Sequence, residues 1–412
     1  MASSVDDTNK ENEEIVRQHV ENLLDDLSLK VESLELTREV VNNFNGFITN
    51  AVVVAKDSNG TKKSFNWIVK TAPTFENFRI LSMMEDCYER EIEAYKLIFP
   101  AFNEFQKELG ISNRFQSYPK CYYDCSEHLN ETLILENMKE RGYELPKCNN
   151  PLNVEHALIV IREYGKLHAL SFALKDQKPE KFLELKNQSK GNYFSSFGDD
   201  QLDHFLGVKR KSIMGCLNPD EDKALIKKFE KFIEKSKKMI RDIYNDEYAV
   251  YTHGDCWTNN LLFKYENPKK PNSPTDVCLI DFQMSSFSSP IADVSYFILG
   301  NTDCDFRKKH CVYLLKEYYA SLSRSIKSLG SNPDKLYSVN VFRKQLDEYM
   351  AYGLFFSAIG LKLLLTDKED FPDLYQVVTI DNLTDAFSCN HSDKFKKRMR
   401  DILLDCSKAG YL

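Results

Sequence analysis

The chain has 412 residues, which is long enough for two lobes that each bury a core of their own. Hydrophobic residues make up 42% of it and charged residues 28%, a composition typical of an ordered globular protein and not of a disordered chain. The net charge of -7 argues against nucleic acid as the main partner.

Membrane signals and cysteine usage bear on the compartment. No stretch approaches the eighteen or more apolar residues of a membrane span, and the polar N-terminus lacks the apolar core of a signal peptide. The 11 cysteines are scattered without a C-x-x-C pair, which indicates reduced thiols and not a disulfide framework or a zinc site. We therefore expect a cytoplasmic protein that binds no membrane and no nucleic acid and has no obligate protein partner.

The first part of the chain predicts a small lobe with one sheet. We expect a disordered tail over residues 1–12, followed from residue 13 by an amphipathic helix, because apolar residues recur there at helical spacing. Alternating and apolar runs then predict one long helix at 75–99 and five strands, at 33–41, 47–56, 63–70, 122–123 and 132–135. Five strands beside a helix suit a lobe that clamps a nucleotide.

The rest of the chain predicts a mostly helical lobe. Long apolar-periodic segments predict helices at 154–174, 220–245, 306–329 and 339–365. Short strand-like segments lie among them, at 248–252, 261–265 and 277–280. We place the N-terminal lobe at 13–138 with a hinge at its end. The C-terminal lobe, with a catalytic loop and an acceptor site, covers 139–412.

Two short motifs follow strand-like segments in this helical half. Asp255 lies just after one strand, Asn260 comes five residues later, and Asp281 follows the next apolar strand. This arrangement is typical of phosphoryl transfer, in which one Asp is the base for a hydroxyl and the Asn and the other Asp hold Mg²⁺. The sequence therefore predicts an α+β, two-lobed protein-kinase-like fold, with a mostly antiparallel N-terminal sheet lobe and a larger helical C-terminal lobe.

Two neighbouring residues are interpreted as supports and not as catalysts. His253 precedes the expected base and is predicted to brace the loop through hydrogen bonds to backbone. Asp293 lies twelve residues after Asp281 and is predicted to accept backbone N–H bonds from the catalytic loop.

A kinase also needs a cation for the nucleotide phosphates. Lys70 ends an apolar strand, which would deliver its ammonium group to the cleft. Glu91, within the expected helix, is its predicted partner, because Glu89 and Glu93 fall on other faces of that helix. A solvated strand end is the alternative interpretation of Lys70.

Two further segments are candidates for nucleotide contacts. The turn over residues 43–50 would cover the phosphates, with Gly46, the Thr49 hydroxyl and backbone N–H groups as contacts, although it has a single glycine. The strand that ends near residue 138 marks the expected hinge, where backbone groups of Glu136 and Met138 would meet the adenine edge. A plain strand end remains the alternative there.

With these residues identified, the chain resembles the insect ecdysteroid kinase-like family, which is related to choline kinases and aminoglycoside phosphotransferases. The resemblance extends over about residues 30–400 and rests on motifs in family order, the specific ones being His-Gly-Asp-x-Trp-x-Asn-Asn at 253–260 and Asp-Phe-Gln at 281–283. It implies the two-lobe fold and transfer of phosphate from ATP, with Mg²⁺, to a small-molecule alcohol such as an ecdysteroid.

The resemblance also implies roles for individual residues. Asp255 would be the base, Asn260 and Asp281 the metal ligands, and Lys70 the phosphate cation with Glu91 as its partner. The turn after Gly46 and the hinge residue Asn137 depart from the family pattern. His168 matches a family position, but on an apolar helix it is interpreted as a packed core residue.

Two other functions compete with the small-molecule kinase. An inactive relative would act as a carrier or sensor that binds a steroid or xenobiotic, but the full set of catalytic residues argues against it. A protein kinase is disfavoured because the segment after Asp281 is short and no Ala-Pro-Glu follows. Aromatic residues that are candidates to line an apolar acceptor cleft are Tyr193, Phe194, Tyr352, Phe355 and Phe356.

Overall fold

The computed structural model describes residues 2–39, 46–146, 151–267, 269–365 and 392–412. Its N-terminal part is built on a five-stranded antiparallel sheet with the order β1-β2-β3-β5-β4. The strands are β1 (Lys30–Arg38), β2 (Phe47–Lys56), β3 (Lys62–Thr71), β4 (Cys121–Cys125) and β5 (Thr132–Glu136). Residues of β2 alternate between buried and more exposed, as expected for a strand with one face against a core.

Helix α1 (Ala2–Asp26) covers one face of this sheet. Apolar residues at helical spacing, including Val16 and Val20, pack against strand residues such as Ala51, Val53 and Val69. The helix begins at Ala2, so the expectation of a disordered tail over residues 1–12 is wrong. The buried Asn12 accepts a 2.5 Å hydrogen bond from the Thr71 hydroxyl, which attaches this early part of the helix to the sheet.

The long helix expected at 75–99 is divided. It consists of α2 (Glu76–Ser82), α3 (Met84–Glu93), a π-helical segment (Ala94–Ile98) and α4 (Phe99–Glu108). Met83 has φ 53° and ψ 46°, a left-handed conformation that ends α2 and lets α3 start in a new direction. Helix α3 has buried residues on one side, and Glu91 is among them.

The C-terminal part is mostly helical around one large apolar core. Its helices are α5 (Val154–Gln177), α6 (Pro179–Gln188), α7 (Asp199–Met214), α8 (Lys223–Tyr244), α9 (Ile291–Asn301), α10 (Cys304–Ser328), α11 (Pro333–Leu336), α12 (Val339–Tyr349), α13 (Gly353–Leu365) and α14 (Asp393–Ala409). The helix expected at 339–365 is divided by a 3₁₀ turn at Met350–Tyr352, and α6, α7, α9, α11 and α14 were not anticipated. The described structure therefore has the predicted two-lobed, kinase-like architecture.

Two small sheets lie where the sequence motifs fall. One is the pair of β7 (Val250–Thr252) with β10 (Ser286–Ser288), and the other has the order β6-β8-β9, from β6 (Tyr143–Glu144), β8 (Leu261–Lys264) and β9 (Asp276–Leu279). The first motif follows β7 and the second follows β9. Both motifs therefore start just after buried strands, as expected, and these strands fix their positions.

One apolar stretch and the cysteines complete the description. Contrary to the expectation that no segment is long and apolar enough to cross a membrane, the stretch Pro333–Leu365 is so by length and composition, but 72% of its most apolar window is buried inside the protein. Such burial is typical of the core helices of globular proteins. The cysteines in the described ranges are all free, in agreement with the expectation of reduced thiols.

Candidate active site

The loop after β7 is held in shape by a buried carboxylate of α9. Asp293 Oδ2 accepts a 2.8 Å hydrogen bond from the His253 N–H, and its Oδ1 accepts one of the same length from the Gly254 N–H. Gly254 has φ +81°, and a Cβ there would lie 2.1 Å from the carbonyl oxygen of Met284. The predicted structural role of Asp293 is thus present, and no residue with a side chain fits at Gly254.

His253 braces the same loop with its ring. Its Nε2 lies 2.9 Å from the Ile280 carbonyl, and its Nδ1 accepts a 3.1 Å hydrogen bond from the Asp255 N–H. These two partners assign the proton to Nε2. Burial is the largest influence on this histidine and lowers its pKa, so the ring is neutral. Both ring nitrogens are occupied by backbone, as expected for a brace and not for a base.

The carboxylate of Asp255 lies at the centre of the loop and is partly buried. Asn260 Nδ2 donates a 2.7 Å hydrogen bond to its Oδ2, and the Tyr296 hydroxyl lies 3.3 Å from its Oδ1. Burial, followed by the negative charge of Asp281, raises the pKa of Asp255 to about 7, against the opposing effect of these donors. A carboxylate with a pKa near neutrality is suited to take up a proton.

Asn260 and Asp281 are brought to adjacent positions by backbone. The Ile280 N–H donates a 3.1 Å hydrogen bond to the Asn260 carbonyl, which joins the two segments one residue before Asp281. Asp281 has φ +66°, an uncommon conformation for a residue with a side chain. Because the Asn260 amide nitrogen is turned toward Asp255, its side-chain oxygen is left for another ligand.

Lys70 connects the sheet, α3 and the second motif. Its Nζ donates to Glu91 Oε2 at 2.6 Å and to Asp281 Oδ1 at 2.8 Å, and all three side chains are largely buried. Burial lowers the pKa of Lys70, but the two carboxylates outweigh it and raise that pKa above its usual value. For Glu91, an acid, burial has the opposite effect and raises the pKa. The structure thus brings together the predicted pair, and the solvated alternative for Lys70 does not apply.

Glu91 also contacts the second motif directly. Its Oε1 accepts a 3.3 Å hydrogen bond from the Phe282 N–H, one residue after Asp281. The neighbouring Arg90 is buried and donates from Nε to the Gln283 carbonyl at 2.8 Å. Helix α3 is therefore attached to the Asp-Phe-Gln segment through two consecutive residues.

The predicted phosphate turn is only partly described, since residues 43–45 lie outside the described ranges. Gly46 precedes β2 with φ +150°, and a Cβ there would lie 2.4 Å from the Tyr88 hydroxyl and 2.8 Å from the Thr71 carbonyl. Packing therefore already requires glycine at this position. A phosphate contact of its N–H stays a prediction.

The position of Thr49 does not support the expected contact of its hydroxyl with phosphate. Thr49 is paired with Val69, and Ile48 with Lys70, across β2 and β3. Opposite residues in an antiparallel pair point to the same face of the sheet. Val69 packs with α1, so Thr49 points to that face and Lys70 to the other.

The expected hinge segment is tied to the sheet by side chains. The Glu136 N–H donates to the Lys120 carbonyl at 2.8 Å, so this N–H is not available to a nucleotide. Met138 is buried beside Tyr143 and Cys278. Asn137 donates from Nδ2 to the side chains of Asn50 and Asn66, at 3.1 and 2.9 Å. Adenine contacts of Glu136 and Met138 stay predictions.

The supporting residue Asn301 was not recognised from the sequence, whereas His168 was. Asn301, at the end of α9, donates from Nδ2 to the Cys256 carbonyl at 2.6 Å and accepts from the Thr258 hydroxyl at 2.6 Å. It lies eight residues after Asp293, about two helical turns, so both face the catalytic loop. The spacing of eight residues between Asp293 and Asn301 is the feature of the sequence from which this role could have been predicted. His168, with its Nε2 3.1 Å from Asp293 Oδ2, is a fully buried core residue, as expected.

Aromatic residues approach the loop from the helical side. We call five of them the aromatic cluster because neighbouring rings have centroids 5.2 to 6.1 Å apart: Tyr193, Phe194, Tyr352, Phe356 and Tyr296. The cluster reaches Asp255 through the Tyr296 hydroxyl. Of the predicted candidates, Phe355 does not belong to it, because its ring stacks on Phe232 in the core of the helical lobe.

A second group of possible metal ligands lies elsewhere in the described structure. Side-chain ligand atoms of Glu85, His128 and Glu131 lie within 4.8 Å of one another. Arg79 already donates to Glu131 through two bonds of 3.0 and 2.5 Å and to Glu85 through one of 3.3 Å. A guanidinium group in this position opposes a second cation, so the group is an ion-pair network and not the predicted magnesium site.

The fold and the constellation of Lys70, Glu91, Asp255, Asn260 and Asp281 define a kinase-like phosphotransferase. A comparison with protein families gives the same class: the model of the ecdysteroid kinase-like family matches residues 40–331, more than half of the chain. The chain therefore belongs to the ecdysteroid kinase-like family, and the resemblance seen in the sequence is confirmed. A search of curated proteins gave no significant match.

Proposed function

We propose that the protein is an ATP- and Mg²⁺-dependent phosphotransferase that phosphorylates a hydroxyl of a small, largely apolar alcohol, such as an ecdysteroid or a related steroid or xenobiotic. The observation that carries the proposal is the contact of the Lys70 ammonium with both Glu91 and Asp281, at 2.6 and 2.8 Å. A cation that joins the sheet to the second motif is the arrangement that phosphate binding requires. We propose the cytoplasm as its compartment.

The donor atoms fit a hard divalent cation. Asp281 offers a carboxylate, and Asn260 offers the side-chain oxygen that its contacts with Asp255 leave available. These two residues would hold Mg²⁺, and Lys70 would face the nucleotide phosphates. The ion, when bound with ATP, offsets the negative charge of the phosphate oxygens.

Asp255 supplies the proton acceptor. The acceptor hydroxyl would donate to its carboxylate, and the proton moves to Asp255 as the hydroxyl oxygen bonds to the γ-phosphorus and the bond from that phosphorus to the leaving ADP oxygen breaks. A pKa near 7 leaves the carboxylate ionised above neutral pH and still basic enough for this transfer. The hydrogen bonds of Asp293 and His253 keep the loop in place throughout.

The aromatic cluster supports an apolar acceptor. It lies beside the proposed base. Phe194, Tyr352 and Phe356 are buried and form its apolar base, and the partly exposed Tyr193 is the ring that an apolar acceptor would contact. A polycationic aminoglycoside would instead need a dense acidic surface. Addition of a phosphate group makes an apolar alcohol far more soluble in water, which suits storage or detoxification.

The proposal is tested by incubating the purified protein with labelled ATP, Mg²⁺ and a panel of steroids, plant-derived alcohols, choline and aminoglycosides. Mass spectrometry should detect a gain of one phosphate on an apolar alcohol, and the Asp255→Asn variant should form almost none. Phosphorylation of choline or aminoglycosides alone would reject the acceptor class. Tight binding of a steroid without any transfer would favour the carrier function.

A further inference from the structure

Helix α9 presents one face to the catalytic loop. Asp293 accepts the backbone N–H groups of His253 and Gly254. Tyr296, one helical turn later, lies with its hydroxyl 3.3 Å from Oδ1 of Asp255. The proposed base is thus contacted by the same helix that fixes the backbone of its loop.

The ring of Tyr296 occupies a slot that small residues keep open. A Cβ at Gly360 of α13 would lie 2.9 Å from the Tyr296 hydroxyl, and one at Gly353 would lie 2.8 Å from the Tyr296 backbone nitrogen. A Cβ at Gly300 would lie 3.2 Å from the ring. The tyrosine is 3% exposed and packs on Phe356 at a centroid distance of 5.7 Å. The slot therefore leaves the hydroxyl little freedom to move away from Asp255.

Tyr296 is a donor in this contact. Burial, followed by the negative charge of Asp255, raises the pKa of the phenol well above its usual value, so the phenol keeps its proton. The carboxylate receives Asn260 at 2.7 Å on Oδ2 and Tyr296 at 3.3 Å on Oδ1, and the Trp257 side chain is a further donor to it. Loss of the Tyr296 donor loosens the plane of this carboxylate, because rotation about its Cβ–Cγ bond is then less restricted.

We propose that Tyr296 is a positioning residue of the phosphoryl-transfer site: its hydroxyl, held in the slot between α9 and α13, orients the Asp255 carboxylate toward the acceptor hydroxyl. The proposal rests on the proposed function of Asp255 as the base. Because Oδ1 receives the longer bond, it is the oxygen left more available to the acceptor. Alignment of this kind acts on the chemical step and not on nucleotide binding.

The test is steady-state kinetics of Tyr296→Phe, which removes only the hydroxyl oxygen. We expect kcat to fall by about tenfold, the size of one lost hydrogen bond to a charged group, with the KM for MgATP changed less than about twofold. Tyr337→Phe is the matched control. It removes another buried hydroxyl, which donates to Gln345 at 2.8 Å away from the site, and should leave kcat unchanged.

A double-mutant cycle with Gly360→Ala separates positioning from general packing. The added methyl group would displace the Tyr296 hydroxyl, so this variant alone should also lose about tenfold in kcat. In the Tyr296→Phe background the same methyl group has no hydroxyl to displace, so the two losses should be strongly non-additive. Additive losses, a wild-type kcat for Tyr296→Phe, or an equal loss in Tyr337→Phe would each overturn the proposal.

A crystal structure of Tyr296→Phe gives a readout that needs no substrate. We expect the Asp255 carboxylate to rotate or to become disordered while the loop backbone keeps its position. A carboxylate that stays in place would overturn the proposal whatever the kinetics show. If the wild-type protein phosphorylates no alcohol, the proposed function fails, but the crystal structure still decides whether Tyr296 orients Asp255.

Discussion

Two opposing influences act on the ionisation of the Asp255 carboxylate. Asn260 and Tyr296 donate hydrogen bonds that favour its ionised form, while burial and the charge of Asp281 disfavour that form. We expect Asp255→Asn to lower kcat by at least about a hundredfold, because general-base catalysis is worth that much or more. Nucleotide-dependent thermal shifts should be retained. A variant that turns over at the wild-type rate would exclude Asp255 as the base.

The raised pKa of Asp255 also sets a pH dependence of stability. Between its ordinary pKa and about 7, the folded protein binds this proton and the unfolded chain does not, so this group makes its least favourable contribution to folding above pH 7. The Asp255→Asn variant should therefore be more stable than the wild type at pH 8, and this difference in stability should be smaller at pH 5. Urea unfolding of both proteins at the two pH values measures this. A difference that does not change with pH would contradict the assigned pKa.

Lys70 and Glu91 should act as one unit, because their 2.6 Å contact is buried and each is the other's partner. We expect Lys70→Met to reduce kcat by about a hundredfold or more and Glu91→Gln to cause a milder loss, since charge on the phosphates is no longer offset in the same way. The double variant should be little worse than Lys70→Met. Additive losses in the cycle would show that the two residues act independently.

At the scale of elements, α3 is attached to the catalytic lobe by contacts that join distant parts of the chain. Arg90 donates to the Gln283 carbonyl at 2.8 Å and lies 6.0 Å from the ring centroid of Tyr193. In the loop before α7, the Lys190 N–H donates a 2.7 Å hydrogen bond to the Glu93 carboxylate. Helix α3 is thus held on the side of Asp281 and on the side of the aromatic cluster.

We expect Arg90→Met to misplace α3 and with it Glu91, which should lower kcat by about tenfold and raise the KM for MgATP, because a buried hydrogen bond from a charged group is lost. The control is Arg17→Met on α1, whose exposed ion pair with Glu13 contributes little. Steady-state kinetics with varied MgATP measures both effects. Wild-type constants for Arg90→Met would show that α3 is positioned without this contact.

These element-scale contacts mark the limit of inference from the sequence. The spacing of Asp255, Asn260 and Asp281 depends on chemistry within one stretch of chain, and Lys70 and Glu91 follow from the same chemical requirement. The side of the sheet on which Thr49 lies depends instead on its pairing with Val69, a register that a single sequence does not reveal. The docking of Arg90 on Gln283 joins residues 193 positions apart, and no local pattern encodes it.

At the scale of the whole molecule, the helical lobe contains a buried cation outside the proposed site. Lys209 of α7 is 6% exposed, and its Nζ lies 5.1 Å from the ring centroid of Phe205. Burial lowers the pKa of Lys209 to about 7. An unfolded chain would keep this lysine protonated up to a pH of about 10.4. Between these two values the unfolded state binds more protons, so the contribution of Lys209 to stability improves as the pH rises.

Lys209→Met should therefore raise the free energy of unfolding at pH 7.5 by roughly 2 kcal/mol, because the folded state no longer has to give up a proton that the unfolded chain keeps, and this gain outweighs the contacts that the lysine side chain loses. The gain should shrink toward pH 10, where the unfolded chain also begins to lose this proton. Urea unfolding of wild type and variant at pH 7.5 and pH 9.5 measures the difference. Lys231→Met, at an exposed position on α8, is the control and should change stability by less than about 0.5 kcal/mol at either pH. A gain for Lys209→Met that is the same at both pH values would mean that packing, and not the buried charge, limits stability at this position.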